Sequence, residues 1–122
     1  MSKILTIGID PATVDFTDYP GQNAATLTAR IEQSNATLRA EGLDTVILLV
    51  GPDPDAAEST LREQLSRARF DLVMIGAGIR TSTEHTMLFE RLVNVLITEL
   101  PGVRLCFNTS PDTTIDAIRR LL

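Results

Sequence analysis

The sequence is poor in the residues on which metal, redox and disulfide chemistry depend. Its 122 residues include one cysteine, one histidine, one lysine and no tryptophan. A single cysteine, Cys106, excludes an intrachain disulfide and a cysteine-rich zinc site. No spacing typical of metal ligands or of a cofactor-binding loop is present, so we expect neither a metal nor a cofactor.

The charge balance argues against another class of partner. Sixteen Asp and Glu residues against eleven Lys and Arg residues give a net charge of −5. Such a chain repels phosphate backbones and anionic lipid surfaces. We therefore expect no nucleic-acid partner and no membrane partner.

Long apolar segments are also absent. No stretch approaches the roughly 20 residues of a membrane span, and the first apolar run, residues 4–9, is too short for the core of a signal peptide. These observations predict a cytoplasmic protein. The length suits one compact domain and no linker or repeat divides it, so we expect a single domain over residues 1–122.

Four short apolar runs predict β-strands. They are residues 4–9, 46–50, 72–77 and 103–107. Continuous rather than alternating apolarity is typical of strands buried on both faces. In the last run Arg104 breaks the pattern, which indicates a strand at the edge of the sheet.

Helical patterns separate these runs and carry recognisable start and stop signals. Ser, Thr, Asp and Asn cap helix starts, Pro fits the first turn, and Gly commonly follows the last turn. The expected starts are Asn23, Asp55 with Glu58 as an acidic capping box, the segment after the Thr-x-x-Glu box of residues 81–84, and Ser110 followed by Pro111; the expected stops include Gly42 and Pro101.

The alternation amounts to four βα units, which predicts an α/β protein. Such a chain forms a three-layer open parallel sheet of four strands, with right-handed crossovers and helices on both faces. We favour the flavodoxin-like strand order 2-1-3-4. The alternative, 3-2-1-4, would place the fully apolar second strand inside the sheet.

In the favoured order, a ligand site is expected at the carboxyl ends of strands 1 and 3, where the strand order reverses. The loops that meet there are residues 10–22, 76–83 and 108–112. The second loop offers flexible backbone at Gly78, a guanidinium at Arg80, and hydroxyls at Thr81 and Ser82. These groups suit a small anionic ligand, because the planar guanidinium of Arg80 can donate paired hydrogen bonds to a carboxylate or a phosphate.

Other residues complete this predicted site. Asp10 follows strand 1, and Asn108, Thr109 and Ser110 follow strand 4. Two alternatives stay open for them: Ser110 is a plain helix cap, and Arg80 pairs with Asp10 across the crevice.

An acid–base enzyme is a second hypothesis. His85, the single histidine, and Asp10 would act as a catalytic pair in a hydrolase or isomerase. Established motifs give no support, because a phosphate-binding loop and a Gly-x-Ser-x-Gly elbow are both missing. Receiver-domain chemistry is excluded, because the third run closes with Gly76-Ala77-Gly78 rather than with Asp, and Lys3 is the single lysine. Cys106 is interpreted as a small core residue.

The predicted third helix is apolar over roughly 200° of its surface, twice what one buried face needs. The residues concerned are Leu88, Phe89, Leu92, Val93, Val95, Leu96, Ile97 and Leu100. The excess suits an isologous homodimer interface. The third hypothesis is therefore a structural or regulatory homo-oligomer without a small-molecule site. Neighbouring elements of the same chain are the other explanation.

Four segments carry a resemblance to a family. They are Gly8-Ile9-Asp10-Pro11, residues 75–80, residues 88–94 and residues 107–113. With them, most of the chain resembles a family of small, uncharacterised bacterial single-domain α/β proteins. The resemblance implies a cytoplasmic flavodoxin-like domain and no catalytic residues, since the family has no assigned activity. It draws attention to Asp10, Arg80, Glu90, Asn94 and Asn108 as a group.

Overall fold

Four apolar segments form the strands of one parallel sheet, and helices lie in the connections between them. The computed structural model describes residues 2–122. The elements are β1 (Lys3–Ile9), α1 (Ala24–Ala40), β2 (Asp44–Val50), α2 (Pro54–Arg67), β3 (Leu72–Ile75), α3 (Ala77–Arg80), α4 (Thr86–Glu99), β4 (Arg104–Phe107) and α5 (Thr114–Arg119). Short 3₁₀ turns occur at Pro11–Thr13, Thr83–His85 and Pro111–Thr113.

The strand order is β2-β1-β3-β4, with every neighbouring pair parallel. The favoured order is confirmed, and the alternative 3-2-1-4 is wrong. The alternative failed because apolarity alone does not place a strand inside a sheet. β2 lies at an edge, yet Leu48 and Val50 are buried on one of its faces, whereas Leu49 on the other is 40% exposed.

Side chains alternate across the sheet and separate two hydrophobic cores. From β1, Leu5, Ile7 and Ile9 join the larger core, which includes residues of α2 and α4. Ile4, on the opposite face, joins a smaller core with Leu38 of α1 and residues of α5. The face under α1 and α5 is therefore the more thinly covered one.

The wide apolar arc is observed on α4 and is mostly covered by the chain itself. Leu88, Leu92, Val95 and Leu96 are buried, because α4 packs against the sheet and against α2. Ile97, at 52% exposure, is the clearest member of the arc that faces solvent. The homodimer thus stays a prediction, and packing within the chain accounts for most of the arc.

Two helix starts differ from the predicted ones. α2 begins at Pro54, and its N-cap is Asp53 rather than the expected Asp55, because the Asp53 carboxylate accepts a hydrogen bond from Ala56 N at 3.1 Å. The expected box at residues 81–84 does not form. Thr81 Oγ1 instead donates to Ala77 O at 2.7 Å, which closes α3, and α4 starts at Thr86.

The third strand and the loop after it also differ from expectation. β3 ends at Ile75 rather than at residue 77, and the predicted glycine-rich loop contains the single-turn helix α3. Asn108 Oδ1 accepts a hydrogen bond from Ala77 N at 2.8 Å, so the N–H of Ala77 bonds to a side chain where the turn begins.

The predicted start and stop of the first helix agree closely with α1. Asn23 is its N-cap and forms a capping box with Thr26, and Gly42 follows its last turn with a φ of +77°. Among residues 2–122, none of the helices combines the length and the apolar character that crossing a bilayer requires.

Candidate functional site

A cavity of about 120 Å³ lies between α1 and the sheet, at the carboxyl ends of β1 and β3. We call it the helix–sheet cavity. The strands contribute Thr6, Ile7, Gly8, Ile9, Ile47, Leu49 and Met74, α1 contributes Leu27, Ile31, Ser34, Asn35 and Leu38, and the carboxyl edge contributes Gly76, Ala77, Gly78, Asn108, Ser110, Pro111 and Thr114. Leu49 and Gly78 are the exposed members of this set, so they mark where it opens to solvent.

The cavity exists partly because β1 carries glycine where a side chain would fill it. A Cβ atom on Gly8 would approach only one side chain, at 3.4 Å from Leu49 Cδ2. The next two residues of β1 toward the amino end on the same face, Thr6 and Ile4, do carry side chains, and both are buried. Absence of a side chain at Gly8 leaves space beneath α1.

The walls of the cavity are apolar and uncharged. None of its 19 lining residues is Asp, Glu, Lys, Arg or His. The lining residues with polar side chains are Thr6, Ser34, Asn35, Asn108, Ser110 and Thr114. Concave, mostly apolar space with a few polar groups is typical of small-molecule sites.

Asn108 fixes the geometry of the carboxyl edge. Its side chain is 5% exposed; Oδ1 accepts from Ala77 N at 2.8 Å, and Nδ2 donates to Thr114 Oγ1 at 2.9 Å. It thereby ties the start of α3 to the start of α5. The sequence predicts Asn108 as a ligand-binding residue, and the structure places its amide in the cavity wall with both ends engaged in the protein.

Arg80 lies beside the cavity rather than in it. Its Nη2 donates to Asn108 O at 2.7 Å, and its guanidinium lies over the Phe107 ring, 5.6 Å from the centroid. Within residues 2–122 no carboxylate lies within 4.0 Å of the guanidinium, and the buried Nε has no partner. Arg80 therefore does not pair with Asp10, and its guanidinium forms no ion pair within residues 2–122.

Asp10 and His85, the predicted acid–base pair, belong to separate local structures. The Asp10 carboxylate accepts from Ala12 N at 3.0 Å and caps the first 3₁₀ turn. His85 is the last residue of the 3₁₀ turn before α4 and is half-buried. No hydrogen bond or ion pair joins the two anywhere in residues 2–122, and neither lines the cavity. Joint catalysis stays a hypothesis from the sequence.

The remaining predicted site residues divide between the cavity and its surroundings. Gly78 and Ser110 line the cavity. Thr81, Ser82 and Thr109 do not line it. The Thr81 hydroxyl donates to Ala77 O and closes α3, and the Thr109 hydroxyl lies 3.1 Å from Thr113 Oγ1.

The group suggested by the family resemblance does not gather around the cavity. Glu90 and Asn94 are exposed on α4, where Asn94 Nδ2 donates to Glu90 O at 2.9 Å. Their neighbour Arg91 bridges to α2 through Asp55 and Glu58, at 2.9 and 3.0 Å. The polar side of α4 thus holds two helices together.

Sequence reasoning missed the contribution of α1. Leu27, Ile31 and Leu38 follow the spacing of a buried helical face, and that face continues through positions 34 and 35. Polar residues at these two positions, Ser34 and Asn35, were the available signal that this face borders something other than a packed core.

Cys106 is a core residue without nucleophilic character. It is 4% exposed and packs in the smaller core. Burial raises the pKa of its thiol to about 11. At neutral pH the thiol is protonated, and the thiolate is the form that attacks electrophiles.

Comparisons with known proteins support the architecture. No known protein family and no curated protein matches this sequence. A solved structure, an ABC transporter system solute-binding protein from Conexibacter woesei, is 26% identical over 86% of this chain, with a TM-score of 0.51. The chain spans only 28% of that protein, so the likeness concerns one α/β portion of it.

Proposed function

We propose that this chain binds a small molecule in the helix–sheet cavity. The observation that carries the proposal is the cavity itself, about 120 Å³ of mostly apolar space at the carboxyl ends of β1 and β3. Open α/β sheets take their ligands at this position, where the strand order reverses. The similarity to a solute-binding protein supports the same class of function.

The dimensions limit the ligand to a compact molecule. An apolar protein cavity of roughly 150 Å³ accommodates a benzene molecule. The buried part of the ligand therefore has about five non-hydrogen atoms, most of them carbon, since apolar groups form most of the wall.

A titration followed by NMR tests this proposal. Isovaleramide, which joins an isobutyl group to a primary amide, is added to ¹⁵N-labelled protein. We expect saturable shifts that centre on the backbone amides of Gly8, Asn35 and Gly78, together with a higher unfolding temperature. Malonamide, a more polar diamide of the same heavy-atom count, is the matched control and should shift these signals far less. Shifts that scatter over the surface, or none, would contradict the proposal.

An anion at the turn after β3 is a second candidate, favoured because Arg80 forms no ion pair within residues 2–122. The anionic ligand that the sequence predicts would lie outside the cavity, against the guanidinium, because the cavity walls offer no cation. Acetate and inorganic phosphate are suitable probes, since both accept charge-assisted hydrogen bonds.

For this second candidate we expect Arg80→Gln to weaken anion binding about tenfold, the usual effect of losing one charged hydrogen bond. The control is Arg69→Gln, because Arg69 is exposed and forms no hydrogen bond or ion pair within residues 2–122. Binding measured by calorimetry at constant ionic strength decides the matter. Equal losses in both variants would indicate general electrostatic attraction and no site at Arg80.

A further inference from the structure

Two polar side chains interrupt the apolar face of α1 where it borders the helix–sheet cavity. Leu27, Ile31 and Leu38 of this face point to the sheet side, and all three line the cavity. Ser34 and Asn35 lie between them and line it as well. A helix face that covers a sheet is normally apolar, so these two residues occupy positions where leucine or alanine would pack better.

Neither side chain satisfies its hydrogen-bonding capacity within the protein. Asn35 has two N–H donors and an acceptor oxygen, Ser34 has a hydroxyl, and neither side chain bonds to another group of residues 2–122. Deeper in the wall, Thr6 Oγ1 donates to Val46 O at 3.5 Å, and Asn108 bonds to Ala77 and to Thr114. The half-buried pair on α1 is thus available to a molecule in the cavity.

The same wall argues against a charged group inside. A carboxylate or ammonium that enters the cavity loses its hydration and meets no opposite charge, because every lining residue is neutral. An uncharged amide or alcohol loses less and regains its hydrogen bonds from Ser34 and Asn35. An amide suits Asn35 best, since each offers both a donor and an acceptor to the other.

We propose that the cavity recognises an uncharged hydrogen-bonding group, an amide or an alcohol on a short branched carbon chain, and that Asn35 and Ser34 determine this specificity. This inference rests on the proposed function, because it names the ligand class of the same cavity.

Three probes of nearly equal shape test the inference. Isovaleramide, isovalerate and 4-methylpentan-2-one share an isobutyl group and differ in carrying an amide, a carboxylate and a methyl ketone. We expect the amide to bind about tenfold more tightly than the carboxylate and about fivefold more tightly than the ketone, which only accepts hydrogen bonds. Each is titrated into ¹⁵N-labelled protein, and binding is taken from the signals of Gly8 and Gly78.

Alanine variants assign the preference to residues. Asn35→Ala, which favours the helix, should weaken amide binding more than ketone binding and so bring the two affinities within twofold of each other, because the ketone can lose only an accepted hydrogen bond. Ser34→Ala should reduce the preference in part. Gln33→Ala, on the exposed side of α1, is the control and should keep the full preference.

The outcomes separate this inference from the function on which it rests. If no probe shifts the cavity signals, both fail. If the probes bind there but isovalerate binds as tightly as isovaleramide, or if Asn35→Ala weakens all three equally, the cavity is a binding site and the specificity proposed here is overturned.

Discussion

Replacing Gly8 with valine is expected to abolish the binding of isovaleramide while the fold persists. A Cβ atom at this position meets only Leu49 Cδ2, at 3.4 Å, and the two methyl groups of valine would occupy the helix–sheet cavity. The backbone of Gly8 does not have a positive φ, so a β-branched residue suits this strand position. The NMR titration with isovaleramide measures the loss, which should exceed tenfold because ligand and side chain compete for the same space.

The same substitution should also stabilise the protein without ligand. Glycine inside a strand costs roughly 0.5–1 kcal/mol relative to alanine, and each buried methyl adds about 0.8 kcal/mol where it fits. We therefore expect the free energy of unfolding, from urea denaturation, to rise by about 2 kcal/mol if both methyl groups fit. If the variant gains stability and loses its ligand, glycine at this strand position serves binding rather than folding.

Gly51→Ala provides the matched control. Gly51 follows β2 outside the cavity, and its Cβ would come no closer than 4.0 Å to Thr13 Cγ2. This variant should bind isovaleramide as the unaltered protein does. Gly8→Ala, with one methyl group in the cavity, should fall between the two extremes. Undiminished binding in correctly folded Gly8→Val protein would show that the ligand lies elsewhere.

The architecture was predictable because it depends on patterns that many residues share. Four apolar runs alternating with capped helices specify parallel βα units, and Arg104 in the last run correctly indicates an edge strand. The apolar composition of β2 allowed two positions, and the observed pairing places β2 at an edge, with Leu48 and Val50 buried on one face and Leu49 exposed on the other. Local capping was less predictable. The Thr81 hydroxyl was expected to cap a helix through the box of residues 81–84, but it donates to the carbonyl of Ala77 instead.

The candidate site was predictable in location and not in chemistry. The carboxyl ends of β1 and β3 follow from the strand order, and Gly78, Asn108 and Ser110 do line the cavity there. The direction of Arg80 was not available, because it depends on the Phe107 ring and on the carbonyl of Asn108, which lie 27 and 28 residues away in the sequence. The cavity depends on the absence of a side chain at Gly8, and sequence patterns give little indication of such unfilled space.

Asn108→Ala is expected to lower the free energy of unfolding by about 3 kcal/mol. The substitution leaves the N–H of Ala77 and the hydroxyl of Thr114 without their partners, and Thr114 is 4% exposed. Each buried polar group that loses its hydrogen bond costs roughly 1–3 kcal/mol. For a domain of this size the whole stability is about 5–15 kcal/mol, so the loss is a large fraction of it. Urea denaturation at neutral pH measures the change.

Asn94→Ala is the control for this effect, because the Asn94 side chain is exposed on α4 and bonds only to the carbonyl of Glu90 in its own helix. Its free energy of unfolding should stay within about 0.5 kcal/mol of the unaltered protein. If Asn108→Ala were as mild, the two hydrogen bonds would not hold the carboxyl edge together. If it is as costly as expected, the two hydrogen bonds of Asn108 hold the carboxyl edge together and shape the cavity wall from within the protein.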